Sequence, residues 1–398
     1  MSMTPPILGA LSPAQFLAEY WQKKPLLVRG AWPGFRDPLT PEELAGLACE
    51  EGVESRLVLE RDGAAPWDLR HGPFNDADFL NLPDSHWTLL VQDVEKHAPD
   101  LVALLEPFRF IPDWRIDDLM ISYAPLAGSV GPHIDDYDVF LLQGQGRRRW
   151  QISARPVAAD NCLPDTELRI LREFAPEQEW VLEPGDMLYL PPRVAHYGVA
   201  LEPCLTYSIG FRAPSQRELL SGFLEFLLEG VDAEARYTDP DLVLQAHPGE
   251  IGPAALDKVR TLLRQCIALD DETIAVWLGR YLSEPKPGFR AEPESEPYDE
   301  DELRAHLRGG GQLERNPGSR FHYIAGPDGE AMLFVDGQEF ALGPGVAFMA
   351  SLLCRQRVLT PALLREALKQ TDARLLLLDL LNEGYLLIYE DDDGADED

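Results

Sequence analysis

Gly185-Asp186-Met187-Leu188-Tyr189-Leu190-Pro191-Pro192-Arg193-Val194-Ala195-His196 reads as a turn, an apolar strand, a proline break and a histidine entering a second strand. Upstream, Gly131-Pro132-His133-Ile134-Asp135 sets a histidine and a carboxylate two residues apart. On an extended strand both side chains would point to one face. Alone, that pair carries no weight: eight histidines and 68 acids in 398 residues give roughly 1.4 such pairs by chance. Taken together, the two stretches put two imidazoles and one carboxylate on neighbouring β elements. Three such ligands leave positions open on a metal, as in non-haem Fe(II) oxygenases, whereas closed sets with thiolates suit structural zinc. His133, Asp135 and His196 are therefore expected to hold Fe(II), with room left for a cosubstrate and O2.

The run Arg147-Arg148-Arg149-Trp150-Gln151-Ile152 bears on the cosubstrate. Strand alternation puts Arg148 inward with Trp150 and Ile152, and turns Arg147 and Arg149 out to solvent. A buried guanidinium needs an anion, because an uncompensated internal charge is costly. A dicarboxylate with one end on the metal and the other gripped by Arg148 meets that need, as an internal Asp or Glu also would. Ser122 and Ser208 lie in strand-like stretches and could add a hydroxyl to the same carboxylate, although strand serines more often merely line a barrel.

Around these motifs the chain carries 35 Lys+Arg against 68 Asp+Glu, a formal charge of −33. That excludes a general binder of nucleic acid or anionic lipid and favours encounter with basic proteins. With 45% apolar and 26% charged residues, the composition is that of a soluble globular protein long enough for two or three domains. No stretch of about 18 apolar residues occurs, and the N-terminus has no basic, apolar leader. The five cysteines are scattered without a C-x-x-C pair, so a cytoplasmic protein with reduced thiols and no membrane contact is expected.

A helix over residues 14–22, capped by Ser12 with Pro13 at its first position, precedes strands expected at 87–91, 137–143 and 147–153. Strand character persists to Phe211. The spacing then turns helical, with Leu219, Leu220, Phe223, Leu224, Leu227 and Leu228 on one stripe and a similar pattern over 256–282. The Pro-rich acidic stretch 285–302 reads as a linker. Beyond it, a hairpin of 320–324 and 331–335, helices near 346–354, 361–370 and 372–383, and a closing strand at 385–389 suggest a winged-helix-like domain. Such modules often sit on DNA. Residues 290–398 hold 10 Lys+Arg and 23 Asp+Glu, with seven of those acids in the last nine positions, which argues against direct DNA binding.

Five runs carry a family resemblance: Tyr20-Trp21-Gln22-Lys23-Lys24-Pro25-Leu26-Leu27, Asp117-Asp118-Leu119-Met120-Ile121-Ser122, residues 131–143, Gly144-Gln145-Gly146-Arg147-Arg148-Arg149-Trp150, and residues 184–196. They resemble the JmjC-type ribosomal oxygenases, and among these the bacterial arginine hydroxylases. The resemblance implies a JmjC double-stranded β-helix of the jelly-roll or cupin class over 1–213. It further implies a helical dimerisation region over 214–284, the linker at 285–302, and a winged-helix-like α+β domain over 303–398 ending in an acidic tail. The activity implied is Fe(II)- and 2-oxoglutarate-dependent hydroxylation, with O2, at C3 of an arginine in large-subunit ribosomal protein number sixteen, by a homodimer. On this resemblance His133, Asp135 and His196 become the iron ligands, and Arg148 and Ser122 hold 2-oxoglutarate. For the substrate arginine, Tyr137, placed by strand parity with His133 and Asp135, is expected to stack on the guanidinium, and Asp118 to pair with it. Three other readings stand beside this one: the same iron chemistry on a histidine or lysine of another basic protein, an inert barrel serving as an interaction scaffold, and a cupin enzyme for a small acid.

Overall fold

The computed structural model describes residues 7–61, 67–158, 160–164, 167–267 and 269–389. The acidic run 390–398 lies outside the described residues. The chain divides into two compact units, Met1–Ala213 and Pro214–Asp398. No helix among the described residues is long and apolar enough to cross a membrane, and all five cysteines are free.

In the first unit the strands are β1 (Leu26–Val28), β2 (Ser55–Glu60), β3 (Trp67–His71), β4 (Trp87–Val91), β5 (Ile116–Ala124), β6 (Val139–Gln143), β7 (Arg148–Ser153), β8 (Gln178–Leu182), β9 (Met187–Leu190), β10 (Ala195–Ala200) and β11 (Cys204–Phe211). They form a large sheet in the order β1-β9-β6-β11-β5-β4-β2-β3, facing a small sheet β10-β7-β8. This is the double-stranded β-helix. The large sheet is buried on both faces. Ile121, Phe140, Tyr189, Tyr207 and Ile209 point outward to a layer that includes Phe16 of helix α1 (Pro13–Glu19) and Leu44 of α2 (Pro41–Leu47). Val139, Leu141, Leu188 and Leu190 point inward against Trp150, Ile152 and Leu182 of the small sheet. Burial on both sides explains why β6 is apolar at almost every position rather than alternating. The start of α1 follows the sequence expectation: Gln15 N–H donates to Ser12 Oγ at 3.2 Å, and Gln15 Oε1 accepts the Ser12 N–H at 2.9 Å.

The strand expected over 137–143 begins only at Val139, after a bend at 136–137, and Asp138 is tied to groups of the outer layer. The Tyr189 hydroxyl donates to Asp138 Oδ1 at 2.6 Å, Gln22 Nε2 donates to Oδ2 at 2.9 Å, and Arg115 pairs with it at 3.5 Å.

β5 outruns its neighbour β4, whose last pairing sets Val91 opposite Ile121. Further along, the Leu119 N–H donates instead to Glu95 Oε2 at 2.9 Å, on the short helix α4 (Val94–His97) that follows α3 (Asp76–Leu80). Burial pushes the Glu95 carboxyl up to about 7, against the opposing pull of Lys96. A carboxyl whose folded pKa lies above its ordinary 4.5 stabilises the fold most below 4.5, and that contribution is lost as the pH rises through about 7. Glu95→Gln keeps an acceptor for Leu119 and should flatten the fall in melting temperature between about pH 5 and 8. Parallel thermal scans check this, and an identical slope in variant and wild type would contradict it.

The second unit carries α5 (Gln216–Glu229), α6 (Pro253–Cys266), α7 (Asp271–Ser283), α8 (Glu300–Arg308), α9 (Phe348–Arg355) and α10 (Thr371–Asn382). Its strands are β12 (Gln312–Arg315), β13 (Phe321–Ala325), β14 (Ala331–Val335), β15 (Gln338–Leu342), β16 (Val358–Leu359) and β17 (Leu386–Tyr389), in two sheets, β16-β12-β17 and β13-β14-β15. α8, α9, α10 and the two sheets close over one core that includes Leu313, Phe321, Leu333, Met349, Leu377 and Leu381, a winged-helix arrangement.

The second unit departs from the expected elements in three places. Residues 361–370 form no helix: the bonds from Leu364 to Thr360 and Leu368 to Leu364, at 3.1 and 2.9 Å, give way to a single 3-10 turn at Ala367–Lys369. β15 was not foreseen, because its alternation is masked by exposed Gln338 and Glu339. Residues 285–302, expected as a linker, are tied into the second unit: Tyr298 N–H donates to Asn382 Oδ1 at 2.8 Å and Asn382 Nδ2 returns a bond to the Tyr298 carbonyl at 3.1 Å. Ala291 and Tyr298 also pack on its core, and α8 already begins at Glu300.

Candidate active site

His133 does not lie on a regular strand. Residues 131–138 form a loop joined to β10 by one reciprocal pair of backbone bonds, His133 N–H to His196 O at 3.0 Å and His196 N–H to His133 O at 2.9 Å. His133, Asp135 and Tyr137 therefore share no strand face, and a loop places them instead. The Asp135 carbonyl accepts the Arg193 N–H at 2.8 Å, and Arg193 adopts a left-handed φ of 69° to reach it.

The side chains still converge. Asp135 Oδ2 stands 3.9 Å from His133 Nε2 and 3.5 Å from His196 Nε2, and the three potential ligand atoms lie within 4.8 Å of one another. Nδ1 of His133 faces the Gly131 carbonyl at 2.9 Å, and Nδ1 of His196 faces the Val194 carbonyl at 3.0 Å. A carbonyl can only accept, so each Nδ1 carries the hydrogen and each Nε2 lone pair is turned toward Asp135. Burial, and next the neighbouring His133, hold the His196 imidazole down at about 4, which keeps it neutral and able to bind a metal. Two neutral nitrogens and one carboxylate oxygen on one side of a cavity fit Fe(II) with open positions.

Deeper in the same cavity, Arg148 is 3% exposed. Its Nη1 donates to Ser122 Oγ at 3.3 Å and Thr206 Oγ1 at 3.4 Å, and its Nη2 to the Gly198 carbonyl at 3.5 Å. The guanidinium lies 5.1 Å from the Trp150 ring centre, and its buried Nε has no partner. These partners are all neutral, and burial pulls the pKa of Arg148 down. The site fits an incoming carboxylate. Gly198, opposite Trp150 in the β10–β7 register, leaves the space: a Cβ there would fall 2.9 Å from Arg148 Nε and 2.7 Å from the indole.

The cavity, about 550 Å³, lies between the two sheets. Asp118, 7% exposed, and Ser208 also line it. Tyr137 stands at its rim, 43% exposed by surface area yet closely surrounded. Desolvation first, then the Asp135 and Asp118 carboxylates, push its phenol well above the ordinary range. All eight residues singled out from the sequence therefore line one cavity. The second hydroxyl at Arg148 belongs to Thr206 rather than Ser208. Thr206 pairs with Ser122 across β5 and β11, and a strand threonine among apolar neighbours offers no signal in the sequence.

Comparison with known proteins agrees with this geometry. The JmjC domain family matches residues 103–219, and the ROXA-like winged helix family matches residues 262–387. The ribosomal protein uL16 3-hydroxylase of Escherichia coli is 39% identical over 370 residues, 93% of this chain and 96% of that protein. A probable ribosomal oxygenase of Haemophilus influenzae is 41% identical over 235 residues, 59% of this chain and 56% of that protein. The structure of YcfD, a ribosomal oxygenase from Escherichia coli, in complex with cobalt and 2-oxoglutarate, superposes with a TM-score of 0.81 at 37% identity, covering 96% of this chain and 99% of that one.

Proposed function

The chain belongs to the JmjC-type ribosomal oxygenases, and on that footing we propose that it hydroxylates C3 of an arginine in the large-subunit ribosomal protein uL16, using Fe(II), 2-oxoglutarate and O2. The observation that carries this reading is a buried arginine with only neutral partners in the same cavity as a two-histidine, one-carboxylate cluster. When bound, the iron and 2-oxoglutarate supply oxidative decarboxylation to succinate and carbon dioxide, coupled to hydroxylation of a substrate C–H bond.

The chain's own residues do the rest. His133, Asp135 and His196 hold the metal on one side and leave the other open. Arg148, Ser122 and Thr206 receive the distal carboxylate of 2-oxoglutarate, with Trp150 and Gly198 shaping the slot. Asp118 pairs with the substrate guanidinium and Tyr137 lies against it, which fixes the aliphatic part of the side chain before the metal. The net charge of −33 draws a basic ribosomal protein to the surface, and salt weakens that encounter. The enzyme acts in the cytoplasm as a homodimer, without binding DNA. Exposed Leu220, Leu224 and Leu228 on α5, with Leu256, Val259 and Leu263 on α6, support burial against a second copy.

Gly210 sits opposite Asp118 in the β11–β5 register, and a Cβ there would come within 2.9 Å of Asp118 Oδ1. Gly210→Ala should therefore displace the carboxylate and raise the KM for uL16 by about tenfold, the value of one charged hydrogen bond. Its consumption of 2-oxoglutarate without substrate should stay unchanged, and steady-state kinetics separates the two.

The test of the function is anaerobic loading with Fe(II) and 2-oxoglutarate, then air and purified ribosomal proteins, read by fragment mass spectrometry. An addition of about 16 Da on one uL16 arginine, absent with His133→Ala, is the expected result. Consumption of 2-oxoglutarate with no protein modified would leave the iron site and remove the substrate.

A further inference from the structure

We propose that Arg56 and Gln92, on the outlying strands β2 and β4, form a second subsite in the cavity. It takes main-chain carbonyl oxygens of the substrate segment flanking the target arginine. This inference rests on the function proposed above.

The sheet register sets Arg56 in line with the cosubstrate slot. Arg56 pairs with Leu90, Leu90 with Ser122, and Ser122 with Thr206. Residues directly opposite one another in a sheet share a face, so Arg56 points into the cavity from two strands beyond Ser122, about 10 Å away at the usual strand spacing. Arg56, Gln92 and Thr88 all line that cavity.

The donors at this end are not fully used. Arg56 Nη2 donates to Gln92 Oε1 at 2.7 Å, a neutral acceptor, while Arg56 Nε is buried without a partner. Thr88 is fully buried, and its Oγ1 also has no partner. A guanidinium can only donate, so what completes this end must bring acceptor oxygen. Asp118 and Asp135 line the same cavity and suit the target guanidinium, which Arg56 repels. The cavity thus offers carboxylates to a cation and, at Arg56, spare donors to oxygen. A substrate basic enough to be drawn to a chain of charge −33 is poor in carboxylates, whereas every residue of it carries a carbonyl.

The test compares Arg56→Met, which keeps the apolar stem, and Arg56→Lys, which keeps the charge but not the fork, with wild type. The probes are a long uL16 peptide centred on the hydroxylated arginine and a series truncated from each end. Arg56→Met should raise the KM for the long peptide about tenfold, with kcat, substrate-free 2-oxoglutarate consumption and the KM for 2-oxoglutarate within about twofold of wild type. Arg56→Lys should fall between, and the Arg56→Met penalty should vanish once the flanking residues are removed. An unchanged KM, an equal penalty on long and short peptides, or a raised KM for 2-oxoglutarate would overturn the subsite. Failure of the wild-type enzyme to hydroxylate uL16 at all would instead overturn the function on which it rests.

Discussion

His196→Ala is expected to lower both uL16 hydroxylation and 2-oxoglutarate consumption by at least about a thousandfold. That is the rate equivalent of roughly 4 kcal/mol of metal-supplied stabilisation. The loss should be chemical rather than structural, because the bonds that fasten His133 to position 196 are made by backbone atoms and survive the substitution. Metal content, measured after anaerobic loading, should fall together with turnover while the circular dichroism spectrum is retained. A variant that loads iron normally and still consumes 2-oxoglutarate would remove His196 from the ligand set.

Arg148→Met is the second large effect, and it should act in two directions. With no cosubstrate bound, the wild-type protein keeps a cation in its interior with only hydroxyl and carbonyl partners. Replacing that charge by an apolar side chain of similar reach should raise the melting temperature of the cosubstrate-free protein, as removal of buried ionic groups by about 1–4 kcal/mol has done elsewhere. The affinity for 2-oxoglutarate should meanwhile fall roughly 100- to 1000-fold, the cost of breaking a buried pair. Thermal scans with and without 2-oxoglutarate read both. Wild-type affinity would sink the anchor assignment, and a lowered melting temperature in both conditions would make Arg148 a structural residue.

How far the sequence reaches depends on how regular each element is. Arg148 was legible because β7 alternates without interruption, with Arg148, Trp150 and Ile152 buried and Arg149 and Gln151 less so. The spacing of His133 and Asp135 points to the right pair through the wrong local geometry. Their spacing suggested a strand, but they meet His196 through a loop that one pair of backbone bonds holds in place. Gly198, Thr206 and Arg56 could not be found in this way. Their importance comes from what stands opposite them, Trp150, Ser122 and Leu90, and a register between distant strands is not written in either strand alone. The acidic stretch 285–302 misled because composition reports what a segment cannot bury by itself, not whether Asn382 will supply its backbone with partners.

The reciprocal bonds between His133 and His196 have a further consequence, in chain topology. The two residues are separated by 196 − 133 = 63 positions. An ion held by both ties these distant stretches together in the folded chain only, and so stabilises that state by RT ln(1 + [M]/Kd), about 2.7 kcal/mol at a hundredfold excess over Kd. The metal centre is thus also a removable staple at the mouth of the barrel. Chelation takes away the reagent and the fastener together, so the lifetime of the enzyme against proteolysis follows its iron supply as well as its activity does.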